Sequence, residues 1–352
     1  MNESNTFMVH HLRFEVEAVT PLALPPPAGP KLRAALYGAL GLVCPLGGDA
    51  NAPPEHKAVC PVCWLLATEK PGDQRGKDLP RPLTIEPPLE LPGIGDWRLR
   101  IGERFSFGLS LFAQAANLFP YLALGVPEMG RRGLGRRLPA LGGRRGQFAL
   151  RRAEATNPLT GQRQDLFDAA QGALFQTPSV PVTAEQVATA SERMAAMAGS
   201  EAEEEGELAL RFLTPTRVIS GGELVHAPLF PPLFARLFDR LGALSRHYGD
   251  ATLAPREAKP ELMALADRVR LAGGEGTWKE LRSHSRRLGR ATPVSGFVGR
   301  AVYAAPVEVW RRILPPLLWG QSTHVGKNAT KGFGWYEVQI GGNHGDYSAL
   351  DR

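Results

Sequence analysis

One order of elements occurs twice along this chain, and that repetition constrains the fold more than any other feature. In the first half, Leu12, Phe14, Val16 and Ala18 alternate with Arg13, Glu15 and Glu17, the period of a half-buried strand. Leu32, Ala35, Leu36, Ala39, Leu40 and Val43 then recur at helical spacing. Residues 81–85 and 97–107 predict two further strands, 109–124 a mostly apolar helix, and 147–154 a closing strand. A loop rich in glycine and arginine, 130–146, precedes that last strand. The second half repeats the series. Leu208, Leu210 and Phe212 alternate; Leu233, Phe234, Leu237, Phe238, Leu241 and Leu244 mark a helix, and Leu262, Leu265, Ala266 and Val269 another. Strand patterns return near 277–283 and 294–303. A helix over 306–319 is expected to break or fray at Pro315 and Pro316. A glycine-rich loop, 320–334, leads into a last strand over 333–340.

Each half therefore reads strand, helix, strand, strand, helix, strand. The expectation is an α+β fold of two tandem ferredoxin-like (βαββαβ) domains. The N-terminal domain spans 1–156, with a cysteine-bearing insertion at 44–80. A junction follows over 157–206, then the C-terminal domain over 207–342 and a tail over 343–352. Split βαβ sheets leave one face available, and RNA-binding modules often use such a face.

Composition narrows the class. The 352 residues are 43% hydrophobic and 22% charged, which supports a sizeable core and argues against wholesale disorder. The 39 glycines and 31 prolines point to many turns. No run of about 18 apolar residues suggests a membrane span. Residues 1–11 lack a secretory pattern, and three cysteines do not make a disulfide framework, so a cytoplasmic protein is expected.

The formal net charge is only +6, but arginine outnumbers lysine 33 to 8. Arg131, Arg132, Arg136, Arg137, Arg144, Arg145, Arg151 and Arg152 fall in one segment without an acid. Arg282, Arg286, Arg287 and Arg290 form a second cluster. Guanidinium groups suit phosphate, and clustered basic charge is the electrostatic footprint of nucleic-acid binding. The alternative is a solvated basic face. The acidic run of Glu201, Glu203, Glu204, Glu205 and Glu207 reads as a solvated linker.

Two motifs carry chemistry. The loop Gly320-Gln-Ser-Thr-His-Val-Gly326-Lys327-Asn-Ala-Thr-Lys331-Gly332-Phe333-Gly334 could present backbone N–H groups to an anion, with two lysines adding charge. Its spacing fits neither a dinucleotide fingerprint nor a P-loop, since Asn328 stands where a magnesium-holding hydroxyl belongs, so no nucleotide cofactor is expected. Cys60-Pro-Val-Cys63, with Cys44 and His56, could supply three thiolates and one imidazole to a structural zinc. The alternative is buried thiols acting as small hydrophobes.

The segment His-Val-Gly-Lys-Asn-Ala-Thr-Lys-Gly-Phe-Gly-Trp-Tyr resembles the C-terminal glycine-rich loop of the RAMP (repeat-associated mysterious protein) superfamily, and within it the CRISPR precursor-RNA-processing endoribonucleases. Leu32-Arg-Ala-Ala-Leu-Tyr-Gly-Ala-Leu, with the cysteines after it, is similar to that family's first helix and its insertion. Leu213-Thr-Pro-Thr-Arg217, Arg282-Ser-His-Ser-Arg286 and Gly296-Phe-Val-Gly299 also fall where the family has matching segments.

The resemblance implies an endoribonuclease that cuts CRISPR repeat RNA, often hairpin-forming, into guide RNA without a metal. A ribose 2′-OH attacks the adjacent phosphate, leaving a 2′,3′-cyclic phosphate and a 5′-OH. That reaction wants a base, an acid and a cation. His324, three residues before Lys327, is the first candidate imidazole. His56 is the second, where relatives place a catalytic histidine, with Tyr37 as a matching tyrosine on the preceding helix. His56 cannot serve both zinc and proton transfer. Expected RNA contacts are Arg131, Arg132, Arg136, Arg137, Arg144, Arg145, Arg282, His284, Arg286, Arg287, Gly326, Lys331, Gly332 and Gly334. Other CRISPR effector subunits are expected partners and a membrane is not. The rival expectation is a non-catalytic RAMP subunit that holds guide RNA within an effector complex.

Overall fold

The architecture comes from a computed structural model that describes residues 6–44, 46, 52–66, 80–89, 96–172, 174–199, 205–249, 253–285 and 290–340. Side chains at 284, 285 and 290 are outside that description. Arg286, Arg287, the tail over 343–352, much of the 44–80 insertion and the acidic run over 201–204 lie outside the described residues. The chain divides into two compact units. One comprises Val9–Thr156 and Arg163–Pro181; the other comprises Val182–Arg352 with Met1–Met8 and Asn157–Gln162.

The first unit is built on β1 (Val9–Ala18), α1 (Ala28–Leu40), β2 (Leu83–Glu86), β3 (Arg104–Phe112), α2 (Phe119–Arg132), β4 (Phe148–Thr156) and β5 (Arg163–Asp168). Its sheet runs β2-β3-β1-β4-β5, with neighbours antiparallel. The first four strands have the ferredoxin-like order and β5 extends the edge. Phe14 pairs with Phe107 on one side and Ala153 on the other. Leu12, Phe14 and Val16 are buried with Leu32 and Leu36 of α1 and Leu122 and Val126 of α2. The two helices approach closely at Gly125, where a Cβ would stand 2.7 Å from Leu40 Cδ2.

The second unit repeats the plan with α3 (Ala184–Ala198) ahead of it. Its members are β6 (Gly206–Thr216), α4 (Phe230–Tyr248), α5 (Lys259–Ala266), β7 (Arg270–Lys279), β8 (Gly296–Ala305), α6 (Val307–Thr323) and β9 (Tyr336–Ile340). The order β7-β8-β6-β9 matches that of the first four strands before it. The chain is thus a tandem pair of ferredoxin-like folds. Phe234, Leu237 and Leu241 of α4 and Trp310, Ile313 and Leu317 of α6 are buried. Trp310 Nε1 donates to Gly206 O at 2.8 Å, and Tyr336 Oη donates to Leu317 O at 2.8 Å. The Thr183 side chain and Gln186 form a capping box at the start of α3.

Three expectations are corrected. The segment 109–112 belongs to strand β3, and helix begins only at Phe119 after a 3-10 turn at Ala113–Leu118. Buried on both faces, this part of β3 shows no alternation to betray it. The basic segment 130–146 is not a loop: α2 runs to Arg132, and Leu134–Leu138 pairs with Arg144–Gly146 as a hairpin. Helix α6 continues through Pro315 and Pro316 to Thr323. Proline's fixed φ is helical, so the cost is the missing N–H donors. The buried face of Ile313, Leu314, Leu317 and Leu318 offsets it.

Candidate functional site

The Leu134–Leu138/Arg144–Gly146 hairpin, together with the end of α2, presents guanidinium groups around an open hollow of ≈ 230 Å³ lined by Arg131, Arg132, Arg137, Arg144 and Arg145. Arg137 Nη1 donates to Gly143 O at 3.1 Å and Arg144 Nε to Leu141 O at 3.2 Å, which hold both side chains while leaving N–H groups for a ligand. The run is less free than its sequence suggests. Arg131 pairs with Glu128 at 2.7 Å, Arg136 with Asp96 at 2.5 Å, Arg151 with Glu17 at 2.8 Å, and Arg152 with Asp165. The Arg151 contact, with Arg104, holds the Glu17 carboxyl below its usual range despite some desolvation. Arg132, Arg137 and Arg144 have no carboxylate partner among the described residues.

Tyr37 lies on α1 with the Arg33 guanidinium 4.4 Å above its ring and Arg81 at 6.0 Å. Its hydroxyl is buried and makes no hydrogen bond among the described residues. Just beyond α1, the four residues singled out for a metal converge. The donor atoms of Cys44, His56, Cys60 and Cys63 all lie within 4.8 Å of one another. Cys44 Sγ is 3.7 Å from Cys63 Sγ and 3.3 Å from His56 Nε2. This Cys/His cluster has the composition of a metal-binding set.

The glycine-rich segment is a packed wedge. His324, Gly326, Asn328, Gly332 and Gly334 all have positive φ. The N–H groups of Val325, Lys327 and Gly334 donate to Gly334, Arg217 and Pro215 carbonyls at 2.9, 3.0 and 3.2 Å. Those of Lys331 and Gly332 close the 3-10 turn Ala329–Lys331. A Cβ at Gly334 would collide with Val325 O, and one at Gly326 with Arg217 O. The expected anion cradle is therefore corrected: these glycines permit close packing, and most of the N–H groups are spent inside the protein. Gly332 and Gly334 are buried, and Lys331 donates to Asn328 Oδ1 at 3.0 Å. His324 is 0% exposed and stacks on Trp335 with centroids 5.8 Å apart. In this conformation its imidazole cannot reach a phosphate. Lys327 is exposed.

Arg282 is exposed on a short strand, and His284 shares that strand. Sequence reasoning missed a group beside them. His226, exposed, packs on Trp278 with centroids 4.6 Å apart. The Trp278 indole donates to Glu280 Oε1 at 2.7 Å, and the Ser295 hydroxyl donates to Glu280 Oε2 at 2.8 Å. Ser295 first and Trp278 second hold the Glu280 carboxyl below its usual range, helped by Arg217 and His226. Arg217, half-buried, touches Ser295 O and accepts the Lys327 N–H. An imidazole, an indole face and the Arg217 guanidinium thus gather around Glu280, and the Lys327 backbone joins them through Arg217. His226 and Trp278 alone lie 52 residues apart, so no local pattern announces them.

A polar group in the first unit has a different character. His11 Nδ1 meets Glu86 Oε1 at 2.8 Å and Ser110 Oγ at 3.1 Å, and Ser110 also donates to Glu86 at 2.6 Å. Both contacts use one imidazole nitrogen, so the serine is not poised as a hydrolase nucleophile. Neighbouring His10 is pushed down to about 4, by burial first and the His11 charge second.

Comparison with known proteins agrees with the fold. A family model described as an N-terminal domain, AF_1859_N, matches residues 7–179, and one described as CRISPR-associated endoribonuclease Cas6 matches residues 210–336. Thermus thermophilus Cas6 has 16% identity and a TM-score of 0.53, over 94% of this chain and 98% of that one. A Cas6 product complex gives 16% identity and 0.54, over 94% and 99%. A partial Cas6-RT-Cas1–Cas2 complex gives 10% and 0.55, over 98% of this chain and 48% of that one. No curated protein sequence matches. No helix among the described residues is long and apolar enough to cross a membrane. With the repeated βαββαβ plan and the glycine-rich wedge before the last strand, the chain has the fold of the Cas6 structures, and its residues 210–336 match the CRISPR-associated endoribonuclease Cas6 family.

Proposed function

We propose that this protein binds CRISPR repeat RNA and cuts it to guide RNA by attack of a ribose 2′-OH on the adjacent phosphate. The O2′–P bond forms as the P–O5′ bond breaks, giving a 2′,3′-cyclic phosphate and a 5′-OH. The nucleophile belongs to the RNA itself, so the protein's tasks are to align it, move two protons and neutralise the phosphorane. The observation that carries this reading is the match of the Cas6 endoribonuclease family over 210–336, a span that holds the exposed Lys327 and the His226 group.

In this reading His226 moves a proton at the scissile phosphate, because it is an exposed imidazole packed on Trp278 with the Glu280 carboxylate near it. Lys327 and Arg217 stabilise negative charge on the phosphorane, and Trp278 gives a base a face to stack on. His56 is held against Cys44 and His324 is enclosed, so neither is the first choice for proton transfer. Arg132, Arg137 and Arg144 grip phosphates of the RNA, with Arg131 and Arg145 beside them. By analogy with the complexes its neighbours form, the product is passed to other CRISPR proteins.

Purified protein is mixed with a CRISPR repeat RNA in EDTA, and the product ends are analysed. One fixed cut with a cyclic phosphate, slowed about 100-fold or more by His226→Ala and by Lys327→Ala, supports the reading. The burial of His324 and the engagement of His56 favour a second reading, a subunit that holds guide RNA without cutting it. Tight, salt-sensitive binding with intact RNA would establish that one instead.

A further inference from the structure

The cluster beyond α1 carries an inference that is independent of the RNA reading. We infer that Cys44, His56, Cys60 and Cys63 bind one zinc ion in a closed, structural site.

Geometry is the first argument. A tetrahedral zinc with Zn–S near 2.3 Å and Zn–N near 2.0 Å sets S···S edges of about 3.8 Å and S···N edges of about 3.5 Å. The Cys44–Cys63 separation is 3.7 Å, the Cys44–His56 separation 3.3 Å, and all four donor atoms fall within 4.8 Å of one another. The sulfurs of Cys44 and Cys63 are too far apart for a disulfide, and none of the three cysteines is in one.

Local structure explains the convergence. Cys44 follows the turn Gly41–Val43 at the end of α1. His56 sits in a short helix, Pro54–Val59, and Cys60 caps it, its N–H donating to His56 O at 2.9 Å. That single turn aims both side chains the same way. The next helix, Pro61–Leu66, begins at once and brings Cys63 round after one turn.

Energetics supply the second, separate argument. Each of these helices has six residues, too short to hold together in water without tertiary support. Pro61–Leu66 has such support, since Val62, Cys63, Leu65 and Leu66 are buried. Pro54–Val59 buries none of its side chains, and Val59 is 78% exposed. Packing does not account for its place. A metal held through His56 and Cys60 does.

The donor set decides the kind of site. Three thiolates and an imidazole select zinc over harder cations. Four protein ligands leave no position open for water or substrate, so the ion staples α1 to the two short helices and takes no part in catalysis. The thiols lose their protons as the ion enters.

The test is metal analysis of the full chain, expressed in zinc-replete medium and purified without chelator. The site predicts about one equivalent of zinc, and about a fifth or less in Cys60→Ser and in His56→Ala. Cys60 is only half-buried, so the serine variant keeps its fold, which circular dichroism checks. Cobalt exchanged into the wild type should give the visible bands of a tetrahedral, thiolate-ligated ion. Removing the metal should raise hydrogen exchange first over 54–66. Zinc below about a tenth of an equivalent with no uptake of zinc or cobalt would overturn the inference. So would iron in its place, or zinc unchanged in both folded variants.

Discussion

Two segments occupy the same place in the repeated plan, each joining the last helix of a unit to the fourth strand of its βαββαβ series, yet they are built for opposite ends. In the first unit the link is the Leu134–Leu138/Arg144–Gly146 hairpin, whose arginines surround open space. In the second it is the wedge over 324–335, whose N–H groups are spent on protein carbonyls and whose imidazole is enclosed. Both are rich in glycine. The hairpin's Gly142 and Gly143 have nothing within 4 Å of an added Cβ, whereas Gly326 and Gly334 have a carbonyl in the way. Gly142 and Gly143 turn a chain in solvent, whereas Gly326 and Gly334, like Gly135 and Gly146 in the strands of the hairpin, let two backbones touch. A glycine-rich loop is thus a statement about backbone proximity, and only its surroundings tell whether the neighbour is a ligand or the protein itself.

The largest expected effect breaks the wedge. Gly334→Ala adds a Cβ at φ 69° against Val325 O and should cost about 3 kcal/mol or more, read by urea unfolding. An acid titration should separate the units next. His10 of the first unit is held down to about 4 against 6.5 in the unfolded chain. Between pH 6.5 and 4 the unfolded chain takes up a proton that the folded one refuses, so stability falls as pH falls and levels off below 4. The loss should be roughly 3 kcal/mol at most, and His10→Gln should flatten that limb of the stability profile. The hairpin should respond in RNA affinity. Arg132→Ala, Arg137→Ala and Arg144→Ala together should weaken binding about 10- to 100-fold and lower the salt slope by about 2–3, with unfolding unchanged. Arg152→Ala, whose guanidinium is already paired with Asp165, should change affinity by only about twofold. Gly142→Ala should lower stability by about 1 kcal/mol, far less than Gly334→Ala, because its positive φ lies in open space.

Much of the plan was legible. Residues 12–18 alternate because one face of β1 meets the helices and the other does not, and the tandem ferredoxin-like order follows from such patterns. The second half of strand β3, from 108 to 112, was not legible, because burial on both faces erases its period there. The four metal-ligand candidates were readable because they lie within twenty residues, and convergence there is a local matter. The eight arginines were readable as charge but not as free charge, since Glu17, Asp96 and Asp165 reach them from elsewhere in the sequence. His226 and Trp278 meet only through folding of the second unit, and nothing near either marks the pair.

RNA cleavage tests the central claim most directly. The full chain, loaded with zinc and assayed with a CRISPR repeat RNA in buffer without added metal or chelator, should leave a single 2′,3′-cyclic phosphate end and a 5′-OH end. His226→Ala should abolish most of that activity while affinity stays within about threefold. Uncut RNA that stays bound, or a product ending in a 3′-OH, would contradict the account.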